Sequence, residues 1–218
     1  MLYRPPAPSI LYPMKVSPAG FGAMLLRSPA TAALGAALLV VGTALQLDSP
    51  AQHWAAAWHC ARIDTIVGLL NPIGSGVTLL IVCGTLALLG WVCARSRMGE
   101  AGCLGALAFM VAGLVEYALK YLVGRPRPAA AGPLFGPEFD SFPSGHATSV
   151  FAVATVLGAV YPRLRWPLYA LAAAIALGRV YLARHYLSDI VAGALIGLVI
   201  ASLLLRQRSS MPVAVQPS

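Results

Sequence analysis

Six long apolar runs constrain the fold of this chain more than any other feature of its sequence. About 20 residues of helix cross the hydrocarbon core of a bilayer. Only 10% of the 218 residues are charged, whereas a soluble domain carries about 25%. The runs that are long enough to span cover residues 30–47, 76–94, 101–123, 146–161, 167–183 and 188–205. The sequence therefore predicts an all-α integral membrane protein, a bundle of six transmembrane helices.

The spans predict one membrane domain, at residues 28–206, between two tails. Residues 1–27 contain five prolines and no clean apolar core, so they do not resemble a signal peptide and we expect a flexible tail. Residues 207–218 are predicted to be a short C-terminal tail.

The segment between the first two runs, residues 51–75, predicts a short amphipathic helix at the membrane interface. Trp54 and Trp58 lie on one side of it, and tryptophans near the end of a span usually sit at the headgroup level. In the sixth run, Gly193 and Gly197 have a spacing that lets helices approach closely, which predicts packing within the chain.

The net charge of +8 raises the question of nucleic acid as a partner. The basic residues are scattered in short loops, however, and do not form one polar face, so nucleic-acid binding is not expected. The bilayer is the expected partner, and the oligomeric state is left open. The four cysteines show no metal-ligand spacing and predict neither a disulfide nor a structural zinc site: Cys60, Cys83, Cys93 and Cys103.

The basic residues also predict the orientation, because cytoplasmic loops carry an excess of Lys and Arg. The side that holds both termini collects Arg4, Lys15, Arg27, Arg95, Arg97, Arg163, Arg165, Arg206 and Arg208. The other side collects Arg62, Lys120, Arg125, Arg127, Arg179 and Arg184. We therefore expect cytoplasmic termini in an inner membrane, with the polar clusters described next facing the periplasm.

Three basic residues lie near the predicted outward ends of the runs. Lys120 lies about one turn before the end of the third run, and Arg127 follows that run across a proline-rich break. Arg179 lies near the end of the fifth run. An ionisable residue at the bilayer centre costs about 2.5–3.5 kcal/mol, so such residues are rare there. Three cations that converge repel each other unless an anion lies between them. A phosphate fits, since its oxygens match the arginine fork.

A second cluster, Pro143-Ser144-Gly145-His146, opens the fourth run. Backbone N–H groups at a helix N-terminus are unsatisfied and, with the helix dipole, form an anion site. Gly145 permits close approach of a phosphate to the backbone. Ser144 adds a hydroxyl donor.

The third cluster pairs His185 with Asp189, four residues apart and hence predicted to share one face of a helix. A carboxylate there can accept the Nδ1–H of the imidazole and leave Nε2 as a nucleophile. His146 is suited to protonate a departing oxygen. A lone membrane histidine is more often structural, but the joint pattern of all three clusters favours a reaction site.

These clusters resemble the type 2 phosphatidic acid phosphatase superfamily, whose motifs are KxxxxxxRP, PSGH and SRxxxxxHxxxD. The resemblance covers the third to the sixth run, with Gly178 in place of the third motif's serine. It implies that His185 forms a phosphohistidine, that Asp189 orients it and that His146 is the acid and then the base. It implies neither a metal nor a cofactor. It also implies that five residues hold the phosphoryl oxygens: Lys120, Arg127, Ser144, Gly145 and Arg179.

The predicted function is dephosphorylation of a membrane lipid phosphate or pyrophosphate. We rank undecaprenyl pyrophosphate first, then phosphatidylglycerol phosphate and phosphatidic acid, then lipid A phosphate. A lipid phosphotransferase with the same phosphohistidine is an alternative, as is a non-catalytic transporter or scaffold. The vanadium-dependent haloperoxidases share the motifs but are soluble, so they fit this chain poorly.

Three charged residues beside the motifs have no role in them. Glu116 stands four residues before Lys120, so a helical ion pair between them is predicted. Arg125 and Arg184 are hypothesised to contact a second phosphate, which would favour a pyrophosphate substrate.

Overall fold

The computed structural model describes residues 29–129 and 139–209, and within these ranges the chain forms helices and no strands. The helices are α1 (Pro29–Gln46), α2 (Asp48–Ala57), α3 (Ala61–Ile73), α4 (Gly76–Val92), α5 (Ser96–Val123), α6 (Gly145–Val160), α7 (Arg165–Tyr181) and α8 (Leu187–Ser209). A 3₁₀ turn at Pro162–Leu164 precedes α7. The predicted tail at residues 1–27 lies outside the described residues. Residues 207–209 of the predicted C-terminal tail belong to α8.

The all-α membrane fold predicted from the sequence is confirmed. The six apolar runs correspond to α1 and α4–α8, and the predicted interfacial segment, residues 51–75, contains most of α2 and all of α3. Among the described helices, α5 and α8 are each long and apolar enough to cross a membrane alone. Up to four crossings result if α1 with α2, and α3 with α4, each form one bent span. The count of six spans and their orientation stay predictions.

The contacts within the chain divide it between Leu39 and Val40, and every residue discussed below lies after that division. Within this second part α6 is the central helix, since it packs against α5, α7 and α8. Most of its side chains are buried, and a helix that is apolar all round belongs in the interior of a bundle.

Two glycines allow α8 to lie directly against α6. A Cβ at Gly193 would stand 2.6 Å from the carbonyl oxygen of Ser144, and one at Gly197 would stand 2.4 Å from that of Thr148. Real Cβ atoms do not approach so closely, so only glycine permits this contact. The predicted packing of these glycines within the chain is confirmed, and it holds the N-terminus of α6 beside the first turn of α8.

The end of α5 turns the chain back toward the bundle. Gly124 follows the last helical residue with a φ of +56°, a left-handed conformation that glycine adopts without strain, and its N–H donates to the carbonyl of Lys120 over 2.9 Å. The proline-rich segment then continues to Arg127. The predicted helix break is confirmed, and it allows Arg127 to approach the end of the helix that carries Lys120.

Candidate active site

The residues singled out from the sequence meet at one end of the bundle, where α5 and α7 end and α6 and α8 begin. His146 interacts electrostatically with Lys120, Arg179 and His185. The N–H of Ser144 donates to the carbonyl oxygen of Asp189 over 3.0 Å. The structure brings together all eight predicted residues: His185, His146, Asp189, Lys120, Arg127, Ser144, Gly145 and Arg179.

Two carboxylates hold the lysine and the first arginine. Lys120 Nζ lies 2.7 Å from Glu116 Oε1, so the predicted ion pair is confirmed. The Asp140 carboxylate accepts two hydrogen bonds from Arg127, one from Nε at 2.7 Å and one from Nη2 at 3.0 Å. Its Oδ2 also lies 3.5 Å from Lys120 Nζ. A Cβ at Gly145 would stand 3.0 Å from Glu116 Oε1. The N-terminus of α6 is therefore in close contact with this ion-pair cluster.

Asp140 belongs to none of the three motifs, and no role was predicted for it from the sequence. Burial alone would raise the pKa of its carboxyl, but the Arg127 guanidinium and the Lys120 ammonium outweigh that effect and hold the pKa below its usual value. Asp140 is therefore an anion at neutral pH and keeps both cations facing the site. Its position three residues before the Pro-Ser-Gly-His motif was the signal that could have identified it.

Arg179 is fixed from a distant helix. Its Nη1 donates to Oδ1 of Asn71, near the end of α3. Next to it, Gly178 replaces the serine of the family motif, and a Cβ there would stand 3.2 Å from Val67 Cγ1. The small residue at position 178 allows α3 to pack closely against α7, and this packing brings Asn71 to the arginine.

Three buried polar atoms of the site lack a hydrogen-bond partner in the part of the chain that the structure describes. They are Ser144 Oγ, His146 Nε2 and Arg179 Nε, and no other buried side-chain nitrogen or oxygen of the described residues is in this condition. A buried polar atom without a partner costs about 1–3 kcal/mol. All three atoms belong to residues predicted to face a phosphoryl group. These unpartnered atoms fit a site in which a bound anion supplies the missing hydrogen-bond partners.

His185 lies in the loop between α7 and α8, and the prediction that it shares a helix face with Asp189 is wrong, because α8 begins only at Leu187. The His185 Nδ1 is 2.8 Å from the carbonyl oxygen of Ser141 and 3.6 Å from Asp189 Oδ2. A carbonyl only accepts, so Nδ1 carries the proton and Nε2 has the free lone pair. The expected tautomer is present, but the carbonyl of Ser141 and not Asp189 accepts the hydrogen bond.

Asp189 shapes the loop around His185. Its Oδ2 accepts bonds from the hydroxyl of Ser141 at 2.6 Å and from the N–H of Tyr186 at 2.8 Å. Its Oδ1 accepts a bond from Arg125 Nη1 at 2.7 Å. Asp189 thus fixes the residue whose carbonyl orients the imidazole.

The charge state of His185 follows from its surroundings. Burial lowers its pKa most strongly, and the positive charges of Arg127 and Arg179 act in the same direction, whereas the Asp189 carboxylate opposes them. The net result is a pKa below the usual value of about 6.5. The imidazole is therefore neutral at pH 7, the form that a nucleophile needs.

Arg125 does not face the site, and the hypothesis that it contacts a second phosphate is wrong. Its Nη1 donates to Ser188 Oγ at 2.6 Å as well as to Asp189, and its Nη2 donates to Asp48 Oδ2 at 2.7 Å. These hydrogen bonds point the Arg125 guanidinium toward the interior of the protein. Arg184 interacts electrostatically with Arg179, and its proposed contact with a second phosphate stays a prediction.

The chain resembles known proteins over the region that contains this site. The PAP2 superfamily matches residues 101–210. The lipid A 1-phosphatase of Rhizobium johnstonii is 35% identical over 106 residues, which are 43% of this chain and 43% of that protein. The decaprenylphosphoryl-5-phosphoribose phosphatase of Mycobacterium tuberculosis is 38% identical over 121 residues, 54% of this chain and 67% of that protein.

Two solved structures share the fold. The crystal structure of Aquifex aeolicus LpxE superimposes with a TM-score of 0.62 at 26% identity, over 73% of this chain and 95% of that one. The PAP2-type phosphatidylglycerolphosphate phosphatase of Bacillus subtilis gives a TM-score of 0.64 at 21% identity, over 87% and 92%. With the family match over half of the chain and the convergence of its three motifs, the protein belongs to the PAP2 superfamily.

Proposed function

We propose that this protein is a lipid phosphatase that transfers the phosphoryl group of a membrane lipid to His185 and then to water. The observation that carries the proposal is the set of unpartnered buried atoms on Ser144, His146 and Arg179. They adjoin a neutral imidazole and the two paired cations, Lys120 and Arg127. A phosphoryl group would satisfy the donors among these atoms and balance the positive charge.

In the first step the Nε2 lone pair of His185 attacks phosphorus and the bond from phosphorus to the lipid oxygen breaks. The departing oxygen takes a proton from His146, so a lipid alcohol leaves. The positive charge that develops on the His185 ring is stabilised by the Ser141 carbonyl and by the Asp189 carboxylate. Both groups are already in position, so little reorganisation accompanies the charge.

In the second step His146 takes a proton from water, and the oxygen of that water attacks phosphorus. The bond between phosphorus and His185 Nε2 breaks, inorganic phosphate leaves and the imidazole becomes neutral again. Arg127, Arg179 and the N-terminus of α6 would hold the phosphoryl oxygens through both steps. Positioning and fixed charge then supply the catalysis, as they do in other phosphoryl-transfer sites.

A groove beside the site supports a lipid substrate. It has a volume of about 490 Å³ and lies between α2, α3 and α7, with Trp54 and other apolar side chains along it. Its lining includes Leu70 and Gly178. The residues that follow them in the chain, Asn71 and Arg179, are hydrogen-bonded to each other, so the groove reaches the site at Arg179. A hydrocarbon chain in this groove would place its phosphate next to Arg179.

The contacts of Arg125 lead us to reorder the candidate substrates. On the sequence, undecaprenyl pyrophosphate ranked first, and Arg125 and Arg184 were the residues expected to contact a second phosphate. With Arg125 bonded to Asp189 and Asp48, one of these two contacts is lost, so we place a lipid monophosphate first. Among monophosphates we favour glycolipid phosphates, because the names of two relatives specify lipid A and a phosphoribose-bearing lipid.

A phosphate-release panel tests the proposal. Purified protein in detergent is given lipid A, phosphatidylglycerol phosphate, phosphatidic acid and undecaprenyl pyrophosphate, and released phosphate is measured. The wild type should release phosphate from at least one lipid, His185→Ala should release none, and the exposed histidine variant His53→Ala should match the wild type. Full turnover by His185→Ala, or no turnover of any lipid phosphate by the wild type, contradicts the proposal.

The same preparation separates hydrolysis from transfer. A lipid with a radiolabelled phosphate is incubated with the wild type in the presence of lipid alcohols. Hydrolysis gives labelled inorganic phosphate alone, whereas a phosphotransferase gives a labelled acceptor lipid. We expect inorganic phosphate, and an acceptor that takes most of the label would assign the transferase activity instead.

A further inference from the structure

The short helix α2 contacts the loop of His185 through two polar side chains on one face. Asp48 and Gln52 are four residues apart in the helix and therefore project in nearly the same direction. Gln52 Nε2 donates to the carbonyl oxygen of His185 over 2.9 Å. Asp48 Oδ1 accepts the N–H of Ser188 over 2.8 Å, and Oδ2 accepts its hydroxyl over 2.7 Å. One helix face thus holds both the His185 backbone in the loop and Ser188 in the first turn of α8.

Asp48 is also one end of a buried ion-pair chain. Its side chain is only 8% exposed and lies 2.7 Å from Nη2 of Arg125, whose Nη1 lies 2.7 Å from the fully buried Asp189. Two carboxylates therefore share one guanidinium. A buried charge is tolerated only when it is paired and hydrogen-bonded, so Arg125 and Asp189 depend on Asp48 for their positions.

The contacts continue without a gap from α2 to the reacting imidazole. Asp48 pairs with Arg125, Arg125 with Asp189, and Asp189 accepts the hydroxyl of Ser141. The carbonyl of Ser141 in turn faces Nδ1 of His185. A shift of Asp48 would thus change the direction in which Nε2 points.

We propose that α2 is a positioning element for phosphoryl transfer, in which Asp48 and Gln52 hold the His185 loop so that Nε2 faces the phosphorus atom. The inference rests on the proposed function, because it assumes that His185 is the nucleophile. Neither residue touches the reacting atoms. Their loss therefore slows the chemical step and leaves the affinity for the lipid phosphate unchanged, since the phosphate is held by other residues.

The test measures kcat and KM separately for Asp48→Asn and Gln52→Leu on the best lipid monophosphate of the panel. Ser49→Ala and His53→Leu, at exposed neighbouring positions of the same helix, are the matched controls. A misplacement of about 1 Å at a reacting centre costs about 100-fold in rate. We expect kcat to fall about 10- to 100-fold in Asp48→Asn and less in Gln52→Leu, with KM within about two-fold of the wild type.

A second readout follows the first chemical step directly. Single-turnover quenching measures how fast labelled phosphate becomes attached to the protein, and both variants should slow this step by the same factor as kcat. The thermal midpoint in detergent identifies any variant that fails to fold. If Asp48→Asn does not fold, Gln52→Leu decides the matter, because it removes one neutral hydrogen bond and no charge.

The failures of the two ideas are distinguishable. If His185→Ala is inactive while Asp48→Asn and Gln52→Leu keep the kcat of the controls, the role of α2 is overturned and the proposed function stands. A rise in KM at unchanged kcat also overturns it, because α2 would then bind substrate. If His185→Ala keeps its turnover, the proposed function itself fails and this inference fails with it.

Discussion

The carboxylate of Asp140 holds the guanidinium of Arg127 along one edge, with Nε 2.7 Å from Oδ1 and Nη2 3.0 Å from Oδ2. An arginine has five N–H donors, and this contact uses two of them. No other residue within 29–129 and 139–209 accepts from the remaining donors, so they are available to a phosphoryl oxygen in a fixed geometry. Asp140 therefore orients Arg127 without covering it.

This relationship predicts that Asp140→Asn weakens catalysis. An asparagine keeps the size of the side chain but loses the charge that fixes Arg127 and Lys120, and a hydrogen bond to a charged group contributes about 1.5–3 kcal/mol. We expect kcat/KM to fall at least about ten-fold, since 1.4 kcal/mol corresponds to a factor of ten.

Glu100→Gln is the control for Asp140→Asn, because Glu100 pairs with Arg208 at the opposite end of α5. It should leave phosphate release unchanged. An increase of kcat/KM in Asp140→Asn would mean that Asp140 competes with the substrate for Arg127, and it would refute the orienting role.

The hydroxyl of Ser144 predicts opposite effects on stability and on activity. It is fully buried, and no described residue offers it a hydrogen bond, so it adds nothing to the folded state without substrate. Ser144→Ala should therefore leave the thermal midpoint unchanged or raise it. Turnover should fall, because the loss of one donor to an oxyanion costs about 100- to 1,000-fold in kcat.

Thr155→Val is a matched control for Ser144→Ala, since the Thr155 hydroxyl also lies in α6 but bonds to the Phe151 carbonyl at 2.7 Å, away from the site. It should destabilise the protein without a loss of turnover. A Ser144→Ala variant with full activity would remove the hydroxyl from the proposed phosphoryl site. A fall in its thermal midpoint would show that the hydroxyl already has a partner.

The sequence predicted the site to the extent that local patterns encode it. The residues proposed to face the phosphoryl group lie within three short motifs at helix ends, and hydropathy places those ends. The residues that hold the site residues in place could not be predicted from local patterns. Asp48 is 140 positions from Ser188, and Asn71 is 108 positions from Arg179, so neither pairing leaves a local pattern.

The two wrong predictions, for the His185–Asp189 pair and for Arg125, have the same origin. Helical spacing suggested a hydrogen bond from His185 to Asp189, but His185 lies in the loop before α8, and a backbone carbonyl from another segment accepts that bond. Arg125 lies beside the motif residues and was therefore assigned to the substrate. Asp48 offered one signal that was not used: a chain with only seven acidic residues places one of them at the end of an apolar run.

Two native cysteines allow the predicted orientation to be measured. Cys60 lies before Arg62, on the predicted outward side, and Cys93 lies before Arg95, on the predicted cytoplasmic side; both are exposed. Variants that retain only one of them are treated in intact spheroplasts with a membrane-impermeant maleimide. We expect labelling of Cys60 and protection of Cys93 until the membrane is permeabilised. The reverse pattern would place the site in the cytoplasm.

The pH dependence of turnover tests the environment of His185. The charged or titratable groups that act on this imidazole are Asp189, Arg127, Arg179 and His146. Because burial and the two arginines lower its pKa, the neutral nucleophile persists below pH 6.5, and the acid limb of kcat/KM should lie below that value. A limb that lies above pH 6.5 and is lost with His185 would contradict this environment.

The variant Asp189→Asn tests the direction in which the Asp189 carboxylate shifts the pKa of His185. The carboxylate opposes the effect of burial, so its loss lowers the pKa of His185 further, and protonation then requires a still lower pH. The acid limb should therefore move to lower pH, because a nearby opposite charge favours the charged form of a group. The maximal rate should fall as well, because the positive ring of the phosphohistidine loses its counter-charge.

Asp64→Asn is the control, because the Asp64 carboxylate accepts a hydrogen bond from the Tyr181 hydroxyl outside the site. It should leave the acid limb in place. A shift of the limb to higher pH in Asp189→Asn would show that Asp189 does not act on His185 as an anion.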